Sequence, residues 1–143
     1  MKTIVEFMTG AHKACDDAFA QAEEAVLDQK WNEASSAFGR FRQGMERHFR
    51  MEEEILFPAF QATGGPAGPV QVMLMEHSQM YDLFEQMALA IEDKDAEKYA
   101  GVSETLLIVM QQHNHKEEQI LYPMADQFLA GQQDALLLRM HSL

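Results

Sequence analysis

Apolar residues recur every three to four positions over four long stretches of this chain, the period of α-helices that each bury one face. The first stretch covers residues 2–28, with Val5, Met8, Cys15, Phe19, Ala22 and Val26 on one stripe and His12 filling the place after Met8. Asp28-Gln29-Lys30 interrupts the pattern. A second stripe starts at Trp31 and runs through Ala34, Phe38, Phe41, Met45, His48, Glu52, Ile55 and Ala59. Thr63-Gly64-Gly65-Pro66-Ala67-Gly68-Pro69 is the clearest break, because glycine and proline together end helices and make turns. The third stripe is Val70, Met73, His77, Met80, Phe84, Met87 and Ile91. Asp93-Lys94-Asp95 reads as a polar turn, with Asp95 placed to cap the next helix. The fourth stripe is Tyr99, Val102, Leu106, Val109, His113, Glu117, Ile120, Met124 and Phe128. After Gly131, residues 132–141 predict a short helix using Leu136, Leu137 and Met140. Strand patterns are absent. The predicted fold is all-α: one domain, 1–143, forming an antiparallel up-down four-helix bundle with a short C-terminal helix. Pro58 and Pro123 fall in or near the ends of helices two and four, where a kink or a helix end is expected.

Polar residues stand on these stripes where core is expected. His48-Phe49-Arg50-Met51-Glu52-Glu53-Glu54-Ile55-Leu56-Phe57-Pro58 is echoed by His113-Asn114-His115-Lys116-Glu117-Glu118-Gln119-Ile120-Leu121-Tyr122-Pro123. Residues four apart on a helix differ by about 40°, so His48 shares a face with Glu52, and His113 with Glu117. Burying an unpaired carboxylate costs several kcal/mol, and a bound cation removes that cost. His12 and His77 hold equivalent places on helices one and three. Four histidines and two glutamates therefore predict two metals, each held by two histidines, with both carboxylates bridging. Iron, zinc and copper all suit such donors. Glu53 and Glu54 are expected to face solvent, as is His115. Cys15, one turn after His12, reads as a small buried residue.

Composition narrows the partners. A net charge of -12 and a pI near 4.8 argue against nucleic acid. No apolar run suggests a signal peptide or a membrane span, and a single cysteine fits a reducing compartment, so a cytoplasmic protein is expected. A homo-oligomer is compatible with all of this. No glutamate stands three residues before a histidine, as ferritin-like di-iron bundles require, and the zinc-protease His-Glu-x-x-His is missing.

His12, His48-x-x-x-Glu52 leading into Ile-Leu-Phe-Pro, Glu76-His77, and His113-x-x-x-Glu117 leading into Ile-Leu-Tyr-Pro together resemble the hemerythrin-like, or His-His-Glu cation-binding, family over nearly the whole chain. The resemblance implies a non-haem di-iron centre, two iron ions inside a four-helix bundle with bridging carboxylates; zinc could substitute. Oxygen-carrying members have a further histidine where this chain has Tyr81, which is the seventh candidate ligand. They also place a bridging aspartate where this chain has Glu118, the fallback to Glu117. The function implied is binding and sensing or scavenging of O2, NO or peroxide, with redox turnover left open. The alternative is a non-catalytic module for iron storage, delivery or sensing.

Overall fold

The computed structural model describes residues 2–143, and all the regular structure among them is helical. Helix α1 (Ile4–Leu27) starts behind Thr3, whose hydroxyl accepts the Glu6 N–H at 3.1 Å. The next free donors of that end, Ile4 and Val5 N–H, are taken by the Asp126 carboxylate at 2.9 and 3.1 Å, which ties the start of the chain to the end of the fourth helix. Helix α2 spans residues 31–62, α3 is Ala67–Glu92, α4 spans residues 96–128 and α5 is Gln133–His141. Asp95 caps α4 as expected, accepting the Lys98 N–H at 3.0 Å.

The turns α1–α2 and α3–α4 each pass through one left-handed residue, Gln29 (φ 55°) and Lys94 (φ 53°). Those two positions are separated by 65 residues, the same offset as Pro58 and Pro123. Buried pairs follow it too: Met8 with Met73, Phe19 with Phe84, Phe41 with Leu106, Met45 with Met110. The repeat visible in the two phrases is thus a repeat of the whole helical hairpin.

Each proline follows a change of helix type, and its helix ends four or five residues further on, at Ala62 and Phe128. Helix α2 is built of Trp31–Arg50, a π-helical turn at Met51–Leu56 and a last α segment, Phe57–Ala62; α4 repeats this as Ala96–Lys116, Glu117–Leu121 and Tyr122–Phe128. In each π turn the N–H just before the proline reaches five residues back, Phe57 to the Glu52 carbonyl and Tyr122 to that of Glu117. The proline, with no N–H to place, then opens the resumed α segment.

The π turn carries one extra residue, so every side chain after the glutamate moves one place round the helix. Ile120, expected inside, is 53 % exposed, and Phe128 is 38 % exposed; Leu121, Ala125 and Leu129 are buried in their stead. On α2 the same slip leaves Ala59 half-buried and puts Phe60 fully inside.

Two apolar clusters result. One gathers Phe19, Phe38, Phe41, Phe84, Tyr99 and Leu106 with their neighbours; the other gathers Ile4, Met8, Leu56, Phe57, Phe60, Met73 and Leu121, closed by Leu136 and Met140 of α5. Between them lies a layer of buried histidines and glutamates. The α2–α3 loop depends on close packing: a Cβ on Gly65 would meet the fully buried Phe60 ring at 2.6 Å. Gly65→Ala is expected to cost about 1–3 kcal/mol by overpacking, seen as a lower denaturation midpoint with an unchanged slope. No helix among the described residues is long and apolar enough to cross a membrane.

Candidate metal centre

Six of the seven sequence-predicted ligands meet in that layer. His12, His48, Glu52, His77, His113 and Glu117 are each at most 5 % exposed. Their donor atoms form two overlapping groups: Glu52, His77, His113 and Glu117 in one, and His12, His48 and Glu117 in the other. Glu117 belongs to both.

Three imidazoles are oriented from behind. Glu118 accepts from His12 Nδ1 at 2.7 Å, Glu53 from His77 Nδ1 at 2.6 Å, and Glu76 from His113 Nδ1 at 2.9 Å while also pairing with Lys116. A carboxylate can only accept, so each Nδ1 carries the hydrogen and each Nε2 of the neutral ring turns a lone pair inward. Inside, Nε2 of His77 stands 3.0 Å from Glu52 Oε1, and Nε2 of His113 stands 3.2 Å from Glu117 Oε1. Neither close approach has hydrogen-bond geometry, and both nitrogens are buried without a hydrogen-bond partner, as are Glu52 Oε1 and Glu117 Oε2. Lone pairs that face lone pairs in a dry interior fit a cation among them.

Electrostatics in the metal-free protein point the same way. Burial lowers His113, but the charge of the adjacent Glu117 carboxylate outweighs it and lifts the imidazole to about 9. Burial likewise opposes the Glu117 contacts at His12, which still ends above its ordinary value. His48 is pushed down to about 3, by burial first, and stays neutral. Burial and then the neighbouring Glu117 charge raise Glu52, while hydrogen bonding to Glu52 and the charge of His113 pull Glu117 down against its burial. The two glutamates thus favour positive charge on His12 and His113, the charge a bound cation would supply instead.

Tyr81 is the residue not brought in. It is half-buried, sets its ring edge-on to Phe49 at 5.4 Å and lines a surface cleft with Gln43, Glu46, Arg47 and Arg50. Its phenol is pushed up to about 12 by burial and then by Glu53. The phenol at the centre is Tyr122, fully buried, whose hydroxyl donates to Glu52 Oε2 (2.7 Å) or Glu117 Oε1 (2.9 Å). In an unbroken α-helix Tyr122 would lie about 140° from Glu117; the π turn brings it onto the same face. A proline one residue beyond an aromatic in both phrases was the signal for it. Glu53 does not simply face solvent, as expected, but orients His77, whereas Glu54 and His115 are exposed. Glu118, the fallback bridge, holds His12 from behind. Cys15 is buried, its thiol pushed up to about 11 by burial and then by Asp16.

These outer carboxylates should matter to binding. Glu76→Gln is expected to weaken metal affinity about 10–100-fold in a chelator competition, with exposed Glu54→Gln unchanged.

Neither the curated proteins nor the solved structures contain a significant match to the chain. Residues 3–125 match the hemerythrin HHE cation-binding domain, and the chain belongs to that family: it is a metal-binding helical domain whose donors lie in the core of its bundle.

Proposed function

We propose that this domain is a non-haem di-iron protein that binds and senses or scavenges a small ligand of the O2, NO or peroxide class. The supporting observation is the pair of donor groups that overlap at Glu117. Sharing a carboxylate holds two metal positions at a fixed separation, as two-electron chemistry on a small molecule requires. A bound iron pair supplies electrons and open coordination positions. The chain's own residues do the rest. Glu52 and Glu117 bring the negative charge that two cations need in a dry site. Glu53, Glu76 and Glu118 keep Nε2 of three histidines turned inward. Phe49, stacked on His77 at 3.9 Å, and Phe57, at 6.1 Å, wall the site with hydrocarbon and keep water scarce.

The test is iron content after growth in iron-replete medium, followed by peroxide and NO consumption and by optical spectra with and without O2. About two irons per chain with ligand-dependent spectra or turnover support the reading. Bound iron that responds to none of the three ligands assigns the domain instead to storage, delivery or iron sensing. A protein that takes up only zinc overturns the redox reading.

A further inference from the structure

The two halves of the centre are not equal, and the difference lies in one hydroxyl group. Under the 65-residue offset His12 corresponds to His77, His48 to His113, Glu52 to Glu117 and Glu53 to Glu118. The aromatic residue one π turn after each bridging glutamate also corresponds, and its ring sits alike in both halves. Phe57 faces His77 at 6.1 Å with planes 21° apart; Tyr122 faces His12 at 5.6 Å with planes 33° apart. Only the second carries a polar atom.

That atom has four neighbours from the donor set. The Tyr122 hydroxyl lies 3.1 Å from His12 Nε2, 3.2 Å from His48 Nε2, 2.9 Å from Glu117 Oε1 and 2.7 Å from Glu52 Oε2. His12 Nε2 is in turn 3.1 Å from both His48 Nε2 and Glu117 Oε1. With metal–ligand bonds of about 2.1 Å, donors at right angles around one ion stand about 3.0 Å apart. The phenol oxygen, the two imidazole nitrogens and the Glu117 oxygen are therefore spaced as neighbours in one coordination sphere. The counts agree as well: the group containing His77 and His113 has four donors, and that containing His12 and His48 has three without the phenol.

We propose that Tyr122 is a metal ligand, completing the His12–His48 position as a phenolate and making the two metal positions chemically distinct. Ligation breaks the phenol O–H bond, forms an oxygen–metal bond and releases the proton to solvent, with no change in electron count. A second asymmetry deepens the first. His113 is held from behind by Glu76, but the residue corresponding to Glu76 is Ala11, and the buried Nδ1 of His48 has no partner. The position that gains the phenolate is the one whose histidine is less firmly held, and an anionic oxygen donor there favours a ferric over a ferrous ion.

This inference rests on the di-iron reading, and its test separates the two. The full chain is loaded with ferrous iron, oxidised in air, assayed for metal, and examined by visible absorption and resonance Raman spectroscopy. A phenolate-to-iron charge-transfer band with enhanced tyrosine ring modes is expected. It is lost completely in Tyr122→Phe and kept in Tyr81→Phe. The chain has three tyrosines, so if Tyr122→Phe fails to fold, a band that persists in both Tyr81→Phe and Tyr99→Phe assigns it to Tyr122 by elimination. Iron uptake without tyrosine modes, or a band removed by Tyr81→Phe, overturns the Tyr122 assignment alone. A chain that takes up no iron overturns the di-iron reading along with it.

Discussion

Replacing Glu117 by alanine is expected to abolish binding at both of the proposed metal positions at once. It is the one side chain in both donor groups: its Oε1 sits among His12, His113 and the Tyr122 hydroxyl, and its Oε2 is buried without a hydrogen-bond partner. Losing a bridging carboxylate should weaken binding by more than the roughly 100-fold that an outer hydrogen-bond partner costs. The metal-free fold should suffer too. His12 and His113 would lose the buried anion that raises them, and breaking a buried pair costs about 3–5 kcal/mol. His48→Ala is the contrasting variant, since it removes a donor from one group only and should leave about half the metal. Metal analysis after gel filtration and a urea titration of the apo-proteins read both effects. Retention of full metal by Glu117→Ala would remove it from the bridge.

The second large effect is on stability. A metal that binds only the folded state stabilises it by mass action, by about 4 kcal/mol when free metal is a thousand times Kd. In a domain of this size that corresponds to a melting temperature on the order of 10 °C higher. The gain should depend on pH in a definite direction. His113 has its imidazole raised from 6.5 to about 9, chiefly by Glu117 against the effect of burial. Its contribution to the metal-free protein is complete below pH 6.5 and disappears as pH rises through about 9. His48, depressed to about 3 by burial, works from the other side and costs stability as pH falls from 6.5. Metal replaces the His113 proton, so the loaded protein is spared the alkaline loss. The difference in melting temperature between loaded and chelated protein should therefore widen from pH 6.5 to 9. A constant difference would mean that the metal does not displace that proton.

Much of this is legible in the sequence. The four stripes, the Asp95 cap, the short last helix and the convergence of six polar residues all follow from the 3.6-residue period and the cost of burying charge. Past the glutamates the 3.6-residue period no longer holds, because each π turn adds a residue. Ile120 and Phe128 are exposed, and Tyr122 reaches the donor groups, for that one reason. Both phrases contained the warning, a proline six residues after the bridging glutamate, but a missing N–H suits a kink, a helix end or a π turn equally well. Tyr81 drew notice because of the histidine it replaces elsewhere in the family; the structure puts it at the edge of Phe49, apart from the donor groups. Glu53, Glu76 and Glu118 could not be separated from the other acidic residues of a strongly acidic chain, because orienting a histidine across a helix boundary leaves no periodic trace.

The duplicated hairpin has a topological consequence. The histidines of α1 and α3 draw their partners from the opposite half: His77 from Glu52 and Glu53, His12 from Glu117 and Glu118. Each donor group contains a carboxylate from the opposite hairpin, so each hairpin lends a carboxylate to the other, as exchanged arms do in an intertwined dimer. The peptide linkage through residues 63–66 and the ionic linkage across the interior join the same two bodies independently. A metal held between these donor groups would thus crosslink the two halves.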